Sequence, residues 1–253
     1  MKTIILVQAR MSSTRLPGKV MKLIKGEPMI GVLLGRLKKV KNADQIIVST
    51  STDKKNDVLV EYLKSKKIAF FRGSEEDVLD RYYKSAIKFN GEIIVRITAD
   101  CPLVDPALIT DLINFARKSE KDYCSNIIPP TYPDGQDIEV FTFKALKKSW
   151  DEATLRSDRE HVTTFIRKNS TCQKKSKFTS ENFPNTSDFS HVRMTVDEPE
   201  DFDCIDILVN SLGVDKGWVT YKNFITSNYK LFNNQKIKRG LGYLKSLKQD
   251  LNK

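Results

Sequence analysis

The chain has 253 residues, of which 40% are hydrophobic and 30% charged, and its formal net charge at pH 7 is +11. This length suffices for one large α/β domain with appendages or for two small domains, and the composition is typical of a globular protein. No apolar run approaches the roughly 20 residues that span a bilayer. The apolar run after Lys2 is too short for a secretory signal, so we expect a cytoplasmic protein with no membrane partner.

The positive charge is concentrated near the C-terminus. From Val214 onward, nine Lys and Arg residues stand against two Asp residues, which accounts for +7 of the net charge. Lysines on solvated helices explain such a segment, and so does a nucleic-acid contact, which would weaken steeply with salt. The aromatic residues between the charges have the spacing of helices that pack one face on a neighbour, so we expect helices and no nucleic-acid partner.

In the first half of the chain, strand-like apolar runs alternate with helix-like segments. The first run, Ile4-Ile5-Leu6-Val7, has the composition of a buried strand. This alternation predicts a mostly parallel sheet with helices on both faces. The predicted strands cover residues 3–7, 45–50, 68–71 and 92–98, and the predicted helices cover residues 28–40, 55–66, 78–89 and 106–118.

The alternation loosens in the second half. Residues 126–135 contain three prolines and one glycine, which predicts a loop or an excursion from the sheet. Residues 137–141 alternate polar and apolar side chains, as an edge or antiparallel strand does. We predict a strand at 191–196, helices at 143–153, 158–168 and 199–212, one domain over residues 1–212, and a basic helical extension over residues 213–253.

The loop after the first strand, residues 8–19, has the composition of an anion-binding segment. Its backbone N–H groups and hydroxyls could surround a triphosphate that its cations neutralise. A solvated basic surface loop would have the same composition. The side chains concerned are the cations Arg10, Arg15 and Lys19 and the hydroxyls of Ser12, Ser13 and Thr14.

Two acidic residues lie where predicted strands end. Asp100 follows the strand at 92–98 and Asp197 follows the strand at 191–196, and each has a proline two residues later. Open α/β sheets bind ligands at this edge, and carboxylates there can hold Mg²⁺ against phosphates. The alternative is that both residues are N-caps of helices that begin at the prolines.

A third acidic and basic segment covers residues 71–81. Ser74 could cap the helix that follows, and the acidic residues after it suit a first helical turn. Arg81 could be a structural cation on the buried face of that helix.

Residues 8–19 resemble the signature of the cytidylyltransferases that activate acidic sugars as CMP esters, the acylneuraminate and 3-deoxy-manno-octulosonate (KDO) enzymes. The similarity is closer to a branch of spore-coat polysaccharide biosynthesis cytidylyltransferase-like proteins and covers about residues 1–212. It implies a three-layer Rossmann-like nucleotidyltransferase fold with a small antiparallel excursion, and a homodimer. The other segments that resemble this branch are residues 72–81, 98–102, 130–135, 159–163 and 195–201.

The resemblance implies roles for individual residues. The first loop would hold the triphosphate of CTP, Asp100 and Asp197 would ligate Mg²⁺, and the segment 72–81 would lie near the cytosine and ribose. Residues with an implied role in catalysis are Arg10, Arg15, Lys19 and Asp197. Residues with an implied role in nucleotide binding are Gln8, Ala9, Arg10, Ser12, Ser13, Lys19, Arg72, Ser74, Asp80, Arg81 and Asp100.

The second substrate, by the same resemblance, would be covered by Tyr132, Asp134, Glu139, Arg159 and His161. Arg159 suits a substrate carboxylate because a guanidinium pairs with it in a bidentate way. His161 is equally explained as an ordinary helix residue hydrogen-bonded to a neighbour.

We therefore expect Mg²⁺-dependent transfer of CMP from CTP to an acidic sugar, a nonulosonic or related 2-keto acid destined for a surface glycan. The alternatives are a nucleotidyltransferase with another nucleotide or acceptor, a metal-dependent glycosyltransferase, and a nucleic-acid-binding protein. Against a glycosyltransferase, Asp100 has no second acid two residues away.

Overall fold

The computed structural model describes residues 1–251, except for the side chains of residues 245, 249 and 251, so the last two residues of the predicted extension lie outside it. The strands are β1 (Thr3–Gln8), β2 (Leu23–Ile24), β3 (Glu27–Pro28), β4 (Gln45–Ser51), β5 (Ala69–Gly73), β6 (Ile93–Thr98), β7 (Tyr123–Ser125), β8 (Glu139–Thr142) and β9 (Ser180–Asn182). The α-helices are α1 (Met29–Leu37), α2 (Asp57–Ser65), α3 (Val78–Lys88), α4 (Pro106–Ser119), α5 (Phe143–Glu152), α6 (Arg156–His161), α7 (Thr164–Lys168), α8 (Pro199–Leu212), α9 (Trp218–Ser227) and α10 (Leu241–Leu251).

The central sheet has seven strands in the order β5-β4-β1-β6-β8-β7-β9. The first four strands are parallel, β8 is antiparallel to both β6 and β7, and β7 is parallel to β9. The mostly parallel sheet with an antiparallel excursion is thus confirmed. A short antiparallel hairpin, β2-β3, forms a second sheet.

Both faces of β1 are buried. Ile5 and Val7 belong to one apolar core, which includes Leu33 of α1. Ile4 and Leu6 belong to the core on the other face, with Tyr82 of α3. Successive side chains of a strand point to opposite faces, so a continuous apolar run requires helices on both sides. This gives the three-layer α/β fold.

Helix α8 begins at Pro199, but α4 begins at Pro106 and not at Pro102, and both helices are capped by residues other than the two candidate acids. Asp105 caps α4, and its side chain accepts from the N–H of Ala107 at 2.9 Å. Glu198 occupies the N-cap of α8, and Asp201 Oδ2 accepts from its N–H at 2.9 Å. The N-cap interpretation of Asp100 and Asp197 is therefore wrong.

Two predicted elements differ from the observed ones. Residues 191–196 do not form a strand, because their backbone bonds go to a loop, with Met194 N donating to Asp134 O at 2.6 Å, and only an isolated bridge joins Asp134 to Arg193. The predicted helix 158–168 is divided into α6 and α7, since Val162 has φ +63° and Thr163 N donates to His161 O.

The cap of α3 is a further correction. Asp77, not Ser74, caps this helix, because its side chain accepts from the N–H of Asp80 at 2.9 Å. Ser74 Oγ lies just before the helix and accepts from the N–H of Asp77 at 3.0 Å.

The segment after α8 packs on the α/β layers. Tyr221 and Ile225 of α9 are buried in the same core as α8. Arg36 of α1 holds the connection between α8 and α9, since its guanidinium donates to the carbonyls of Val214 and Lys216. Within residues 1–251, no helix combines the length and hydropathy needed to cross a membrane.

Candidate active site

A cleft of about 740 Å³ opens where β1 and β6 end. Its lining includes Gln8 and Ala9 at the end of β1, and Thr98 and Asp100 at the end of β6. Ligands of parallel α/β sheets bind outside the carboxyl ends of the strands, and the cleft occupies that position.

The loop after β1 forms one wall of the cleft and is held in shape by its own backbone. Gly18 adopts φ +67°, a left-handed conformation that glycine tolerates best, and its N–H donates to Met11 O at 3.0 Å. Met11 N in turn donates to Asn56 Oδ1 at 2.9 Å, which fixes the loop to the start of α2. The loop residues in the lining, besides Gln8 and Ala9, are Arg10, Ser12, Ser13, Thr14, Arg15 and Lys19, and Val20 follows them.

Lys19 lies between the two candidate metal ligands. Its Nζ is 2.9 Å from Asp197 Oδ1 and 3.6 Å from Asp100 Oδ2, and it donates to Val196 O at 2.7 Å. Burial alone would lower the pKa of Lys19, but the two carboxylates outweigh it and raise the pKa above its usual range. Burial would likewise raise the pKa of Asp197, but Lys19 and Arg15 hold it below its usual range. The structure thus brings Asp100 and Asp197 together around one cation.

The other two loop cations also have carboxylate partners. Arg15 lies 3.1 Å from Asp197 Oδ2 and 2.8 Å from Glu198 Oε1. Arg10 lies 3.3 Å from Glu75 Oε1, which also accepts from Ser12 Oγ. Each cation of the loop is therefore paired with an acidic side chain of another segment.

Arg193 supports this arrangement from below, and sequence reasoning did not single it out. It is 4% exposed and donates to both carboxylate oxygens of Asp201 at 2.7 Å and to Asp134 at 2.8 Å. Asp201 Oδ2 accepts from the N–H of Asp197 as well, at 2.9 Å. Arg193 and Asp201 thus fix the backbone that carries Asp197. The sequence signal for this role was the position of Arg193 inside the predicted strand, where a charged side chain needs a buried partner.

Of the five residues assigned to the second substrate, Asp134 and His161 line the cleft, and Tyr132, Glu139 and Arg159 do not. Tyr132 is buried against aromatic rings, with Trp218 at 5.4 Å between centroids. The guanidinium of Arg159 contacts Asp77 Oδ2 at 2.7 Å and two backbone carbonyls of the α5 end.

Glu139 belongs to a buried polar network at the start of β8. Its Oε1 accepts from Tyr123 and from Thr163, both at 2.6 Å, and its other oxygen pairs with Arg96. Its oxygens are therefore engaged inside the protein. Arg96 lies at the boundary of this network, because it also lines the cleft.

The segment 72–81 contributes no side chain to the lining of the cleft. Arg72 pairs with Asp57 at 2.7 Å, and Asp80 accepts from Trp150 Nε1 at 2.9 Å. Arg81 is fully buried and donates to Ser74 O at 2.6 Å, and burial lowers its pKa to about 10. These side chains contact other parts of the protein, whereas Glu75 reaches the first loop.

Part of the predicted C-terminal extension lines the cleft, namely residues 238–243 and Ser246. Arg239 pairs with Asp137 and lies 3.7 Å from Asp134 Oδ1. Ser246 Oγ lies 2.9 Å from His161 Nε2. Burial lowers the pKa of His161 to about 4, so the imidazole is neutral at pH 7.

Comparisons with known proteins show the family to which this chain is similar. The sequence model of the cytidylyltransferase family matches residues 4–230. An uncharacterized protein of Methanocaldococcus jannaschii is 43% identical over 67% of this chain and 68% of its own length. The spore coat polysaccharide biosynthesis protein SpsF of Bacillus subtilis is 29% identical over 82% of this chain and 86% of its own. A 3-deoxy-manno-octulosonate cytidylyltransferase of Geobacter metallireducens is 29% identical over 45% of this chain and 44% of its own length.

A solved cytidylyltransferase structure from Leptospira borgpetersenii superposes with a TM-score of 0.87 at 32% identity. It covers 94% of this chain and 100% of that one. Since the family model spans most of the chain and the cleft lies at its ligand-binding sheet edge, the protein belongs to the cytidylyltransferase family and is a nucleotidyltransferase enzyme.

Proposed function

We propose that this enzyme transfers CMP from CTP to an acidic sugar, a nonulosonic or other 2-keto acid, and releases pyrophosphate for the synthesis of a surface polysaccharide or glycan. The observation that carries the proposal is the convergence of Lys19 and Arg15 on Asp100 and Asp197 in one cleft. A cleft of about 740 Å³ also has the size of known small-molecule sites.

The same carboxylates fit Mg²⁺. The Lys19 ammonium lies within 3.6 Å of both acids, so their oxygens already surround a position suited to a cation. The residues described, 1–251, contain no cluster of three or more His, Cys, Asp or Glu side chains that would hold a metal alone. Mg²⁺ characteristically uses one or two carboxylates together with substrate phosphates, which is what Asp100, Asp197 and a triphosphate offer. When bound, the ion would offset charge on the phosphates during transfer.

The loop residues would act on the leaving group. In-line attack on the α-phosphorus places negative charge on the departing pyrophosphate, and preorganised cations stabilise that charge. Lys19 is protonated at pH 7, and Arg15 lies beside it, since both contact Asp197. Ser12, Ser13 and the loop N–H groups would orient the phosphates. We propose that CTP draws Lys19 and Arg15 away from the carboxylates.

The family name supports the cytidylyl group, and the names of two relatives support the acceptor. One is a KDO cytidylyltransferase and the other acts in spore coat polysaccharide biosynthesis, which together suggest an acidic sugar for a surface polymer. Asp134 and His161 line the cleft, and the proposal assigns them to this acceptor. A homodimer, as the resemblance implies, is part of the proposal.

A pyrophosphate-release screen tests the proposal. The protein with Mg²⁺ is incubated with each of the four nucleoside triphosphates and a set of sugar acids that includes KDO and nonulosonic acids. We expect release with CTP and one class of acid, and none when EDTA removes the metal. Release with UTP or ATP but not CTP would exclude cytidylyl transfer, and release without any acid would exclude the acceptor class.

A further inference from the structure

The acceptor side of the cleft needs a cation if the acceptor is an acid, and Arg159 does not supply it. Its guanidinium is held by Asp77 and by two carbonyl groups, outside the lining of the cleft. The wall on this side is built from α6, α7 and α10, and it carries other basic side chains.

Arg167 of α7 lines the cleft, and within residues 1–251 no carboxylate lies within ion-pair distance of its guanidinium. Its guanidinium instead lies over the ring of Tyr243, with 5.5 Å between Cζ and the ring centroid. Glu139 is nearby but already accepts hydrogen bonds from Arg96, Tyr123 and Thr163. A guanidinium in a substrate cleft with its donors uncommitted to any acid suits an incoming carboxylate.

The other cations on the acceptor side are less suited. Arg96 pairs with Glu139, Arg193 with Asp201 and Asp134, Arg239 with Asp137, and Arg156 with Glu76. Lys238 is exposed at the rim of the cleft and is a point charge, whereas a guanidinium offers two parallel donors to a carboxylate.

Helix α10 positions Arg167. The ring of Tyr243 supports the guanidinium on one side and meets the His161 ring edge-on at 5.4 Å on another. Ser246 fastens the same helix turn to α6, since its Oγ lies 2.9 Å from His161 Nε2 and 3.1 Å from Glu160 Oε2. Glu160 also lines this wall, and its Oε2 accepts a hydrogen bond from Ser246 Oγ.

We propose that Arg167, positioned by the ring of Tyr243, binds the carboxylate of the acceptor and sets the preference for an acid. This inference rests on the proposed function, because it assigns a residue to its acceptor. It also gives α10, which lies beyond the 4–230 match to the family, a part in substrate selection.

Steady-state kinetics of Arg167→Ala and Arg167→Lys test the inference. We expect the KM of the acid acceptor to rise about 10- to 100-fold in Arg167→Ala, the loss that follows when a charge-assisted hydrogen-bond pair is removed. The acceptor KM of Arg167→Lys should lie between those of Arg167→Ala and the wild type. The KM of CTP, and its dissociation constant by calorimetry without acceptor, should not change. Lys144→Ala, which removes an exposed cation of α5 outside the cleft, is the matched control.

An acceptor whose carboxylate is converted to a carboxamide sharpens the test. The KM of the wild type should be about 10- to 100-fold higher for this analogue than for the acid. In Arg167→Ala the two KM values should be equal. Tyr243→Ala should raise the acceptor KM less than Arg167→Ala does, and Tyr243→Phe should restore the wild-type value because the ring remains.

The outcomes separate the two proposals. A wild type that releases no pyrophosphate with any acid overturns both. A wild type that turns over, together with an unchanged acceptor KM in Arg167→Ala, overturns only the assignment of Arg167. The assignment of Arg167 is also overturned if Arg167→Ala raises the KM of CTP as much as that of the acceptor. It is overturned as well if Arg167→Ala still has a higher KM for the carboxamide than for the acid. If Arg167→Ala does not fold, Arg167→Lys decides by the same comparison.

Discussion

Replacing Lys19 with methionine removes the ammonium between Asp100 and Asp197 while keeping a side chain of similar length. At an effective dielectric constant of about 20, charges 2.9 Å and 3.6 Å apart attract by roughly 5 kcal/mol each. Desolvation offsets most of this attraction, because Lys19 is 9% exposed, and leaves about 1–3 kcal/mol. Lys19→Met should therefore strengthen metal binding in the absence of nucleotide by about tenfold or more, because the acids lose their competing cation.

The same variant should turn over slowly. Loss of one preorganised charge at the leaving group costs about 10²- to 10³-fold in kcat, as for other transition-state donors. Mn²⁺ binding followed by electron paramagnetic resonance, with pyrophosphate release alongside, measures both effects, and Lys22→Met removes an exposed cation three residues away as the control. Turnover within threefold of the wild type, or weaker Mn²⁺ binding, would refute the reasoning.

Three further predictions concern residues around the cleft. Arg193→Met should lower the free energy of unfolding by about 3–5 kcal/mol, since it leaves buried carboxylates unpaired, whereas the exposed Arg156→Met should cost less than about 1 kcal/mol in the same urea titrations. His161 binds a proton at its ordinary pKa when unfolded but only near pH 4 when folded, so stability should fall by up to about 2 kcal/mol from pH 7 to 5. His161→Gln should show a smaller fall, and equal slopes would contradict this. Arg159→Ala should lower stability by about 1–3 kcal/mol and leave the acceptor KM unchanged, whereas a tenfold higher KM at unchanged stability would favour direct binding.

Local patterns were sufficient to predict the sheet and most helices. The apolar run of β1 and the alternation of strands and helices from β1 to α4 reflect a sheet that is buried on both faces. Such burial produces apolar patterns that can be recognised in the sequence. The conformation of residues 191–196 was harder to predict, because these residues have a strand-like composition but pair with the loop at Asp134. Their backbone conformation depends on Arg193, whose partners lie up to 59 residues away.

The candidate site was predictable where one segment carries it and not where distant segments meet. The first loop and the two acids were identified from composition and position. The presence of residues 238–243 and Ser246 in the lining was not predictable, because packing of α10 on α6 depends on tertiary contacts such as that of Ser246 with His161. Residues such as Arg159 and Glu139 look available for a ligand in the sequence, but the fold uses their charges internally.

The charges of the cleft compensate one another before any substrate binds. Lys19 and Arg15 occupy the acids that would hold a metal, and Arg10 is paired with Glu75. A nucleotide with its metal supplies replacement partners for both kinds of side chain. Its phosphates can pair with the cations, and its divalent ion can pair with the acids. Binding would then exchange ion-pair partners and require little rearrangement of the loop, whose backbone is already fixed by Gly18. A triphosphate without a metal would instead leave Asp100 and Asp197 facing negative phosphates, so metal and nucleotide should bind cooperatively.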